Sequence, residues 1–151
     1  MNLINLKKIK KMILNELIKE TQKNQMVSTL FKHYKVESVK MKYKSMKDHA
    51  YFNVETGVME ISTRYKTLKD SQVKEFLITL IHEIHHAMAS KKYGWRKFRD
   101  MWEYEANMIS GEHRPGKTDP YKDNPHEIEA EQFGQQNYRK WLQKFKKQGL
   151  I

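Results

Sequence analysis

The sequence predicts an α+β fold, in which a small and mostly antiparallel sheet is combined with several helices. Apolar residues recur at helical spacing over residues 71–90, and residues 124–148 have the start and the charge pattern of a long helix. Residues 36–62 contain alternating apolar side chains and a turn sequence, which are typical of short strands. Because a chain of 151 residues can bury one core, we expect a single domain over residues 1–151.

The first 45 residues are expected to cover this domain with helical and strand-like segments. Residues 3–20 place apolar side chains at three-to-four spacing with lysines between them, which predicts an amphipathic N-terminal helix. A shorter helix is predicted around Met26–His33. The apolar face of the first helix lacks Trp and Phe, so packing on the domain is favoured over binding to a membrane surface.

Two strand-like stretches follow these helices. Val36–Tyr43 has alternating apolar residues, and Ala50–Ser62 has the pattern of a hairpin folded at Glu55-Thr56-Gly57. Gly57 is expected to supply the positive φ of the turn. These segments predict the small, mostly antiparallel sheet.

The helix that follows the hairpin is predicted to be buried. It extends from about Ser71 to Ser90, with Asp70 or Ser71 available as its N-cap. Its apolar positions are Val73, Phe76, Leu77, Leu80, Ile81, Ile84 and Met88.

The C-terminal third of the chain is predicted to contain two further helices. After a break at Gly94, helical spacing continues to Ser110. Residues 111–125 have no periodicity and several Gly and Pro, so this long loop is expected to be functional or mobile. The last helix begins with Asn124 as N-cap and Pro125 at its first position, and it is predicted to end near Gln148.

Residues 82–86 carry the pattern that points to chemistry. They read His-Glu-Ile-His-His, so His82, Glu83 and His86 match the HExxH motif of zinc hydrolases. On a helix, positions 82 and 86 share one face and can bind one metal ion, whereas Glu83 points about 100° away, as a general base should. Because the chain has no Cys, a metal would be held by His and carboxylate ligands, which suits a catalytic Zn²⁺ site.

The charge of the chain is strongly positive. Its 29 Lys and Arg against 18 acids give a formal charge of +11, enough to attract nucleic acid, acidic proteins or anionic lipids. Nucleic acid is therefore a possible partner, but the lysines are spread over most segments and form no recognised motif, so a solvated surface is the favoured interpretation. The Trp and Tyr residues are expected to pack mainly in the core.

A cytoplasmic location is expected from three features of the sequence. The chain lacks Cys, it contains no apolar run of roughly 20 residues, and its lysine-rich start lacks the apolar region of a signal peptide. No membrane association is expected, and the oligomeric state is not predicted.

The order of these segments resembles that of the zincin metallopeptidases: a covering helix, a strand pair, the HExxH helix and a later helix with a Glu-x-x-Ala string. It is similar in particular to small phage- and prophage-encoded metallopeptidases, which are related in pattern to the ImmA/IrrE-type and other gluzincin families. The likeness covers roughly residues 50–140. It implies a minimal zincin-like fold with a metal-site core over residues 50–148 and Zn²⁺ as cofactor.

Gluzincins take their third metal ligand from a glutamate on a later helix, and this chain offers two segments for it. Ala130 and Gly134 share the face of Glu127, so the last helix could approach the HExxH helix closely there. The residues around Glu127 also resemble the string that the phage proteins carry, which favours Glu127, although it could instead be a helix-capping acid. The alternatives are Glu103, Glu105, Glu129 or a histidine.

These features predict a zinc-dependent metallopeptidase that hydrolyses peptide bonds of a protein or peptide substrate, with Glu83 as the base. The hairpin is expected to pair with substrate, and the 111–125 loop to act as a lid. Candidate donors to the developing oxyanion are Tyr104, His113, Arg114 and Tyr138. The alternative is a catalytically silent binding module that recognises nucleic acid or a regulatory protein through its basic surface.

Overall fold

The computed structural model of the protein describes residues 5–6, 17–111 and 119–151. It confirms the α+β class. The elements with assigned bounds are α1 (Glu20–His33), β1 (Lys40–Lys44), β2 (Ala50–Asn53), β3 (Val58–Ser62), α2 (Val73–Tyr93), α3 (Trp95–Gly111) and α4 (Pro125–Lys147). The amphipathic helix predicted over residues 3–20 lies largely outside the described residues, and Glu20 begins α1 rather than ending that helix.

The three strands form a mixed sheet in the order β1-β3-β2. Strand β2 pairs antiparallel with β3, whereas β1 pairs parallel with β3, so the prediction of a mostly antiparallel sheet was wrong. Side-chain alternation determines which face of a strand is buried, but it carries no information on strand direction. One edge of β2 has no strand partner among the described residues.

The hairpin of β2 and β3 was predicted correctly. The backbone N–H of Gly57 donates to the Asn53 carbonyl at 2.8 Å, and Gly57 has φ +69°. The Asn53 side-chain oxygen also accepts hydrogen bonds from the backbone of Glu55 and Thr56, at 3.1 and 3.2 Å. This polar turn ends β2 and fixes its pairing with β3.

The main core lies between α2, the sheet, α1 and α4. Helix α2 is preceded by a 3₁₀ turn over Asp70–Gln72, and Gln72 occupies its N-cap position. The prediction of Asp70 or Ser71 as N-cap was therefore wrong, because the 3₁₀ turn delays the first α-helical residue. By contrast, Asn124 is the N-cap of α4, as predicted, and its side chain accepts a hydrogen bond from the backbone of His126.

Helix α3 packs less deeply than the other helices. It follows Gly94, which has φ +83° at the end of α2. Phe98 is its buried residue, and the ring of Phe98 lies 5.8 Å from that of His86. Helix α3 therefore contacts α2 at the HExxH motif.

No helix among the described residues is long and apolar enough to cross a membrane.

Helices α2 and α4 approach each other closely at Gly134. A Cβ atom built on Gly134 would lie 2.8 Å from the backbone oxygen of Ile78, and Ala130, one turn earlier, has no exposed surface. The small residues that the sequence places on the face of Glu127 thus allow α4 to lie against α2, as predicted. The distance between these two helices determines how closely Glu127 approaches the imidazoles.

Changing Gly134 to Ala is expected to destabilise the protein. Separating two packed helices costs about 1–3 kcal/mol, which exceeds the roughly 1 kcal/mol that Ala gains over Gly in a helix. Gly111→Ala is the matched control, because no atom of the described residues lies within 4 Å of a Cβ atom at Gly111. Thermal unfolding should show a lower Tm for Gly134→Ala than for Gly111→Ala, and equal values would contradict the close approach.

Candidate metal centre

His82 and His86 lie one turn apart on α2, and their rings face the same side of the helix. The ring centroids are 5.0 Å apart, and the side chains are 14% and 9% exposed. In the same part of α2, Leu80, Ile81 and Ile84 are fully buried, which holds the backbone under both rings in place. The motif is therefore presented from a rigid element, as the sequence predicted.

Glu127 reaches these two imidazoles from the first turn of α4. Its Oε2 lies 3.0 Å from His82 Nε2, and its Oε1 lies 3.0 Å from His86 Nε2. Asn124 caps the helix just before it, so the Glu127 carboxylate also lies near the positive end of the helix dipole. One carboxylate thus faces both ring nitrogens.

The spacing of these atoms fits a metal ion. One ligand atom from each of His82, His86 and Glu127 lies within 4.8 Å of the others. In a tetrahedral site with ligand bonds of about 2.0–2.1 Å, neighbouring ligand atoms are roughly 3.3 Å apart. The observed 3.0 Å separations are close to that value. Two imidazoles and one carboxylate also form a donor set that leaves room for a fourth, exchangeable ligand.

The structure selects Glu127 over the other glutamates considered. Among the described residues, His82, His86 and Glu127 are the one cluster with metal-ligand spacing. Glu129 points to the other side of α4, where its Oε1 lies 3.6 Å from His85 Nε2. Glu103 lines a cavity of about 420 Å³ beside the cluster, and Glu105 lies on the outer part of α3. Neither residue joins the cluster.

Further polar groups orient two of the three candidate ligands, His82 and Glu127. Glu131 Oε2 lies 2.9 Å from His82 Nδ1, and Gln135 in turn donates to Glu131 at 3.1 Å. Trp102 Nε1 donates to Glu127 Oε1 at 3.1 Å. Groups of this kind fix the tautomer and ring orientation of a ligating histidine.

The charges of the site are strongly coupled. Burial lowers the pKa of His82, but the carboxylates of Glu127, Glu83 and Glu131 outweigh it and raise the pKa to about 9. Burial would raise the pKa of Glu127, yet the hydrogen bonds and charges of His82 and His86 bring it well below its usual range. The metal-free site is thus held together by an ion pair.

This coupling predicts how the stability of the metal-free protein depends on pH. The folded-state pKa of His82 is raised from 6.5 to about 9. Its contribution to the free energy of unfolding is therefore fully present below pH 6.5 and is lost as the pH rises through about 9. The raised pKa of Glu83 acts in the same direction. Denaturant unfolding in chelator should show stability falling between pH 6.5 and 9.

A metal ion held by these residues should oppose this trend, because it competes with protons for the imidazoles. Zinc-loaded protein measured in parallel is therefore expected to gain stability relative to the metal-free form as the pH rises. A metal-free protein that becomes more stable above pH 6.5 would contradict the ion pair.

Glu83 lies beside the cluster and is almost completely buried, with 4% of its surface exposed. Its Oε1 is 4.0 Å from His82 Nε2. Burial raises its pKa, while His86, His82 and a backbone hydrogen bond with Phe52 oppose that shift. A carboxylate with a raised pKa next to a candidate metal site is suited to accept a proton and to release it again.

Two cavities flank this carboxylate. One, of about 420 Å³, lies between the end of β2 and α3, and it is bordered by Tyr51, Phe52, Phe98 and Trp102. The other, of about 500 Å³, lies on the His82 side and is bordered by His49, Glu75 and Thr79. Glu83 and Tyr121 line both cavities. Together they form a cleft along edge strand β2.

Tyr121 is a site residue that the sequence reasoning missed. Its ring lies 6.1 Å from that of Trp102, and its hydroxyl forms a hydrogen bond with Glu127. The turn that carries it is fixed by Asp119, whose Oδ1 accepts from the backbone N–H of Tyr121 and Lys122, at 2.8 and 3.0 Å. The usable signal was this turn-forming Asp just before the N-cap of the helix that carries Glu127.

The expected oxyanion donors do not occupy the cleft where the structure describes them. Tyr104 is 62% exposed and lies on the outer part of α3. Tyr138 is buried, and its hydroxyl accepts a hydrogen bond from Arg139. His113 and Arg114, together with the rest of residues 112–118 in the predicted 111–125 lid, lie outside the described residues.

Comparison of the chain with models of protein families, with curated proteins and with solved structures found no match in any of the three. The site is therefore interpreted from its own residues. These are two imidazoles and a carboxylate that could hold a metal ion, and a buried second carboxylate beside an open cleft.

Proposed function

We propose that the protein is a zinc-dependent metallopeptidase that hydrolyses peptide bonds of a protein or peptide substrate. The observation that carries this proposal is the convergence of His82, His86 and Glu127 within 4.8 Å, with Glu83 buried next to them. Their donor set is that of His₂Glu zinc peptidases. The sequence resemblance to gluzincins, which takes in the same four residues, agrees with it.

Each residue has a separate role in this proposal. His82, His86 and Glu127 hold the metal. When bound, Zn²⁺ supplies a Lewis acid for the scissile carbonyl and lowers the pKa of water to about 7. Glu83 accepts the proton of the attacking water and donates it to the leaving amine, so no covalent enzyme intermediate is needed.

A protein or peptide substrate is supported by the position of β2. This strand borders the cleft through Tyr51 and Phe52, and one of its edges lacks a strand partner among the described residues. An extended peptide can add to such an edge by backbone hydrogen bonds, which place its carbonyl groups at regular intervals along the cleft. The backbone contact between Phe52 and Glu83 fixes the base relative to that edge.

Tyr121 is the donor that we assign to the developing oxyanion. Partial burial and the carboxylates of Glu127 and Glu83 raise the pKa of Tyr121, so its hydroxyl remains protonated and can turn from Glu127 to the developing oxyanion. Removing one donor of this kind typically lowers kcat by about 10²–10³-fold. Tyr121→Phe should therefore show such a loss in kcat with unchanged zinc content.

Tyr104→Phe is the matched control, because Tyr104 is exposed outside the cleft. It should retain full activity. If Tyr121→Phe instead lost zinc, Tyr121 would act by holding Glu127 rather than by donating to substrate.

The proposed function is tested on untagged protein. Elemental analysis should find one zinc per chain, and the zinc-loaded protein should cleave an unfolded protein substrate at internal peptide bonds. Chelation should remove the activity, and zinc should restore it. Protein that binds no zinc after reconstitution, or that binds zinc and cleaves neither unfolded proteins nor mixed peptides, would contradict the proposal.

A further inference from the structure

The corner between α2 and α3 is a strongly basic stretch of the described surface, and its Arg99 borders the cleft. Residues 91–99 read Lys-Lys-Tyr-Gly-Trp-Arg-Lys-Phe-Arg and contain five cations and no acid. We call their cationic side chains the basic corner; they are Lys91, Lys92, Arg96, Lys97 and Arg99. The turn at Gly94 brings the end of one helix next to the start of the other.

Two aromatic rings hold four of these cations in place. Lys92 Nζ and Lys97 Nζ lie 5.1 and 5.7 Å from the ring centroid of Tyr93. The guanidinium carbons of Arg96 and Arg99 lie 5.1 and 5.2 Å from a ring centroid of Trp95. Cation–π contacts of this kind restrict these long side chains in the free protein. They therefore lose less conformational entropy when they bind an anion.

Most of this positive charge is not compensated within the described residues. Arg99 pairs with Glu55 and Asp100, at 3.3 and 3.4 Å, but Lys92, Arg96 and Lys97 form no salt bridge there. Lys91 Nζ donates to the backbone oxygen of Lys35 at 2.7 Å. The segment just after α1 therefore lies next to the basic corner.

The rings themselves are accessible. Tyr93 is 38% exposed and Trp95 is half-buried, and neither belongs to the main core cluster. The expectation that the Trp and Tyr residues serve mainly as core is therefore wrong for this segment. A base can stack on Tyr93 by taking the place of one lysine over its ring, and that lysine, which forms no salt bridge among the described residues, then remains free to contact a neighbouring phosphate.

We propose that the basic corner binds single-stranded nucleic acid. Its cations would contact successive phosphates, and Tyr93 would stack on an unpaired base. A duplex would engage the cations alone, because its bases are already stacked. An anionic lipid surface is favoured less, since the corner presents no apolar side chain for insertion other than these two rings. The proposal uses none of the candidate metal ligands and does not depend on the proposed peptidase activity.

Binding is tested by fluorescence anisotropy with a labelled 20-nucleotide DNA strand of mixed sequence, at several salt concentrations. The test variant is Lys92→Gln/Arg96→Gln/Lys97→Gln. It should bind at least about tenfold more weakly at low salt, and its slope of log affinity against log salt should fall by about 2, because each phosphate contact contributes about 0.7.

The matched control is Lys144→Gln/Lys146→Gln/Lys147→Gln, which removes the same charge from exposed positions at the end of α4. It should change affinity by no more than about threefold. Tyr93→Leu keeps the charge and should weaken binding by at least about fivefold with an unchanged salt slope, as expected for one lost base stack.

Two results would overturn the proposal. Equal losses in the two triple variants would mean that total charge, and not the corner, attracts the strand. Duplex of the same length, or anionic vesicles of phosphatidylserine and phosphatidylcholine, binding as tightly as the single strand would also overturn it. Circular dichroism checks that each variant keeps the fold, and zinc content should be unchanged in all of them.

Discussion

Glu83→Gln is expected to lower the rate of peptide hydrolysis by about 10²–10⁴-fold, the usual contribution of a general base, while zinc stays bound. Gln has the size of Glu and can keep the hydrogen bond with Phe52, but it cannot accept a proton. Glu83 is also outside the cluster of candidate ligands. The measurement is kcat/KM on zinc-loaded protein, with zinc stoichiometry determined on the same sample.

Glu75→Gln is the matched control for this change. Glu75 lies on α2 and lines the same cleft, but its side chain is half exposed and pairs with His49. It should retain activity within a few-fold. A Glu83→Gln variant with full activity would show that Glu83 is not the base, and one that lost zinc would place Glu83 among the groups that hold the metal.

His86→Ala is expected to abolish zinc binding at micromolar zinc. Its imidazole is one of three groups that converge on the site. Removing a group that only orients a ligand typically lowers metal affinity 10–100-fold, and removing a ligand itself should lower it further. Elemental analysis after dialysis, together with competition against a chromogenic chelator, measures this loss. Activity should disappear in parallel.

Adjacent residues provide controls for both ligand-bearing helices. His85→Ala should keep zinc, because His85 faces Glu129 rather than the cluster. Glu127→Ala should weaken zinc binding strongly, whereas Glu129→Ala should not. Equal zinc affinity of His86→Ala and His85→Ala, or of Glu127→Ala and Glu129→Ala, would show that the cluster is not the metal centre.

The parts of the site that sequence could predict are those determined by helical periodicity. His82 and His86 lie four residues apart in an apolar helix, so their shared face follows from the pitch of the helix. Ala130 and Gly134 lack bulk on the face of Glu127, and this indicated where two helices could approach closely. These are local rules, and they suffice to bring together residues from two helices.

The parts that sequence could not predict depend on long-range packing or on irregular backbone. The parallel pairing of β1 with β3 requires knowledge of where the chain goes after Lys44. The place of Tyr121 depends on a turn held by Asp119 and on the contact with Trp102, which belongs to a different helix. Neither arrangement leaves a periodic signal.

The distance along the chain between the ligand-bearing helices has a consequence for folding. Glu127 and His82 are 45 positions apart. In an unfolded chain, bringing them together would cost about 4 kcal/mol of loop-closure entropy. Unfolded protein would therefore keep little more than the local His82 and His86 pair as ligands, and its affinity for metal would be low. Metal bound at this site is thus a selective ligand of the native state, and its concentration would determine how much folded protein persists.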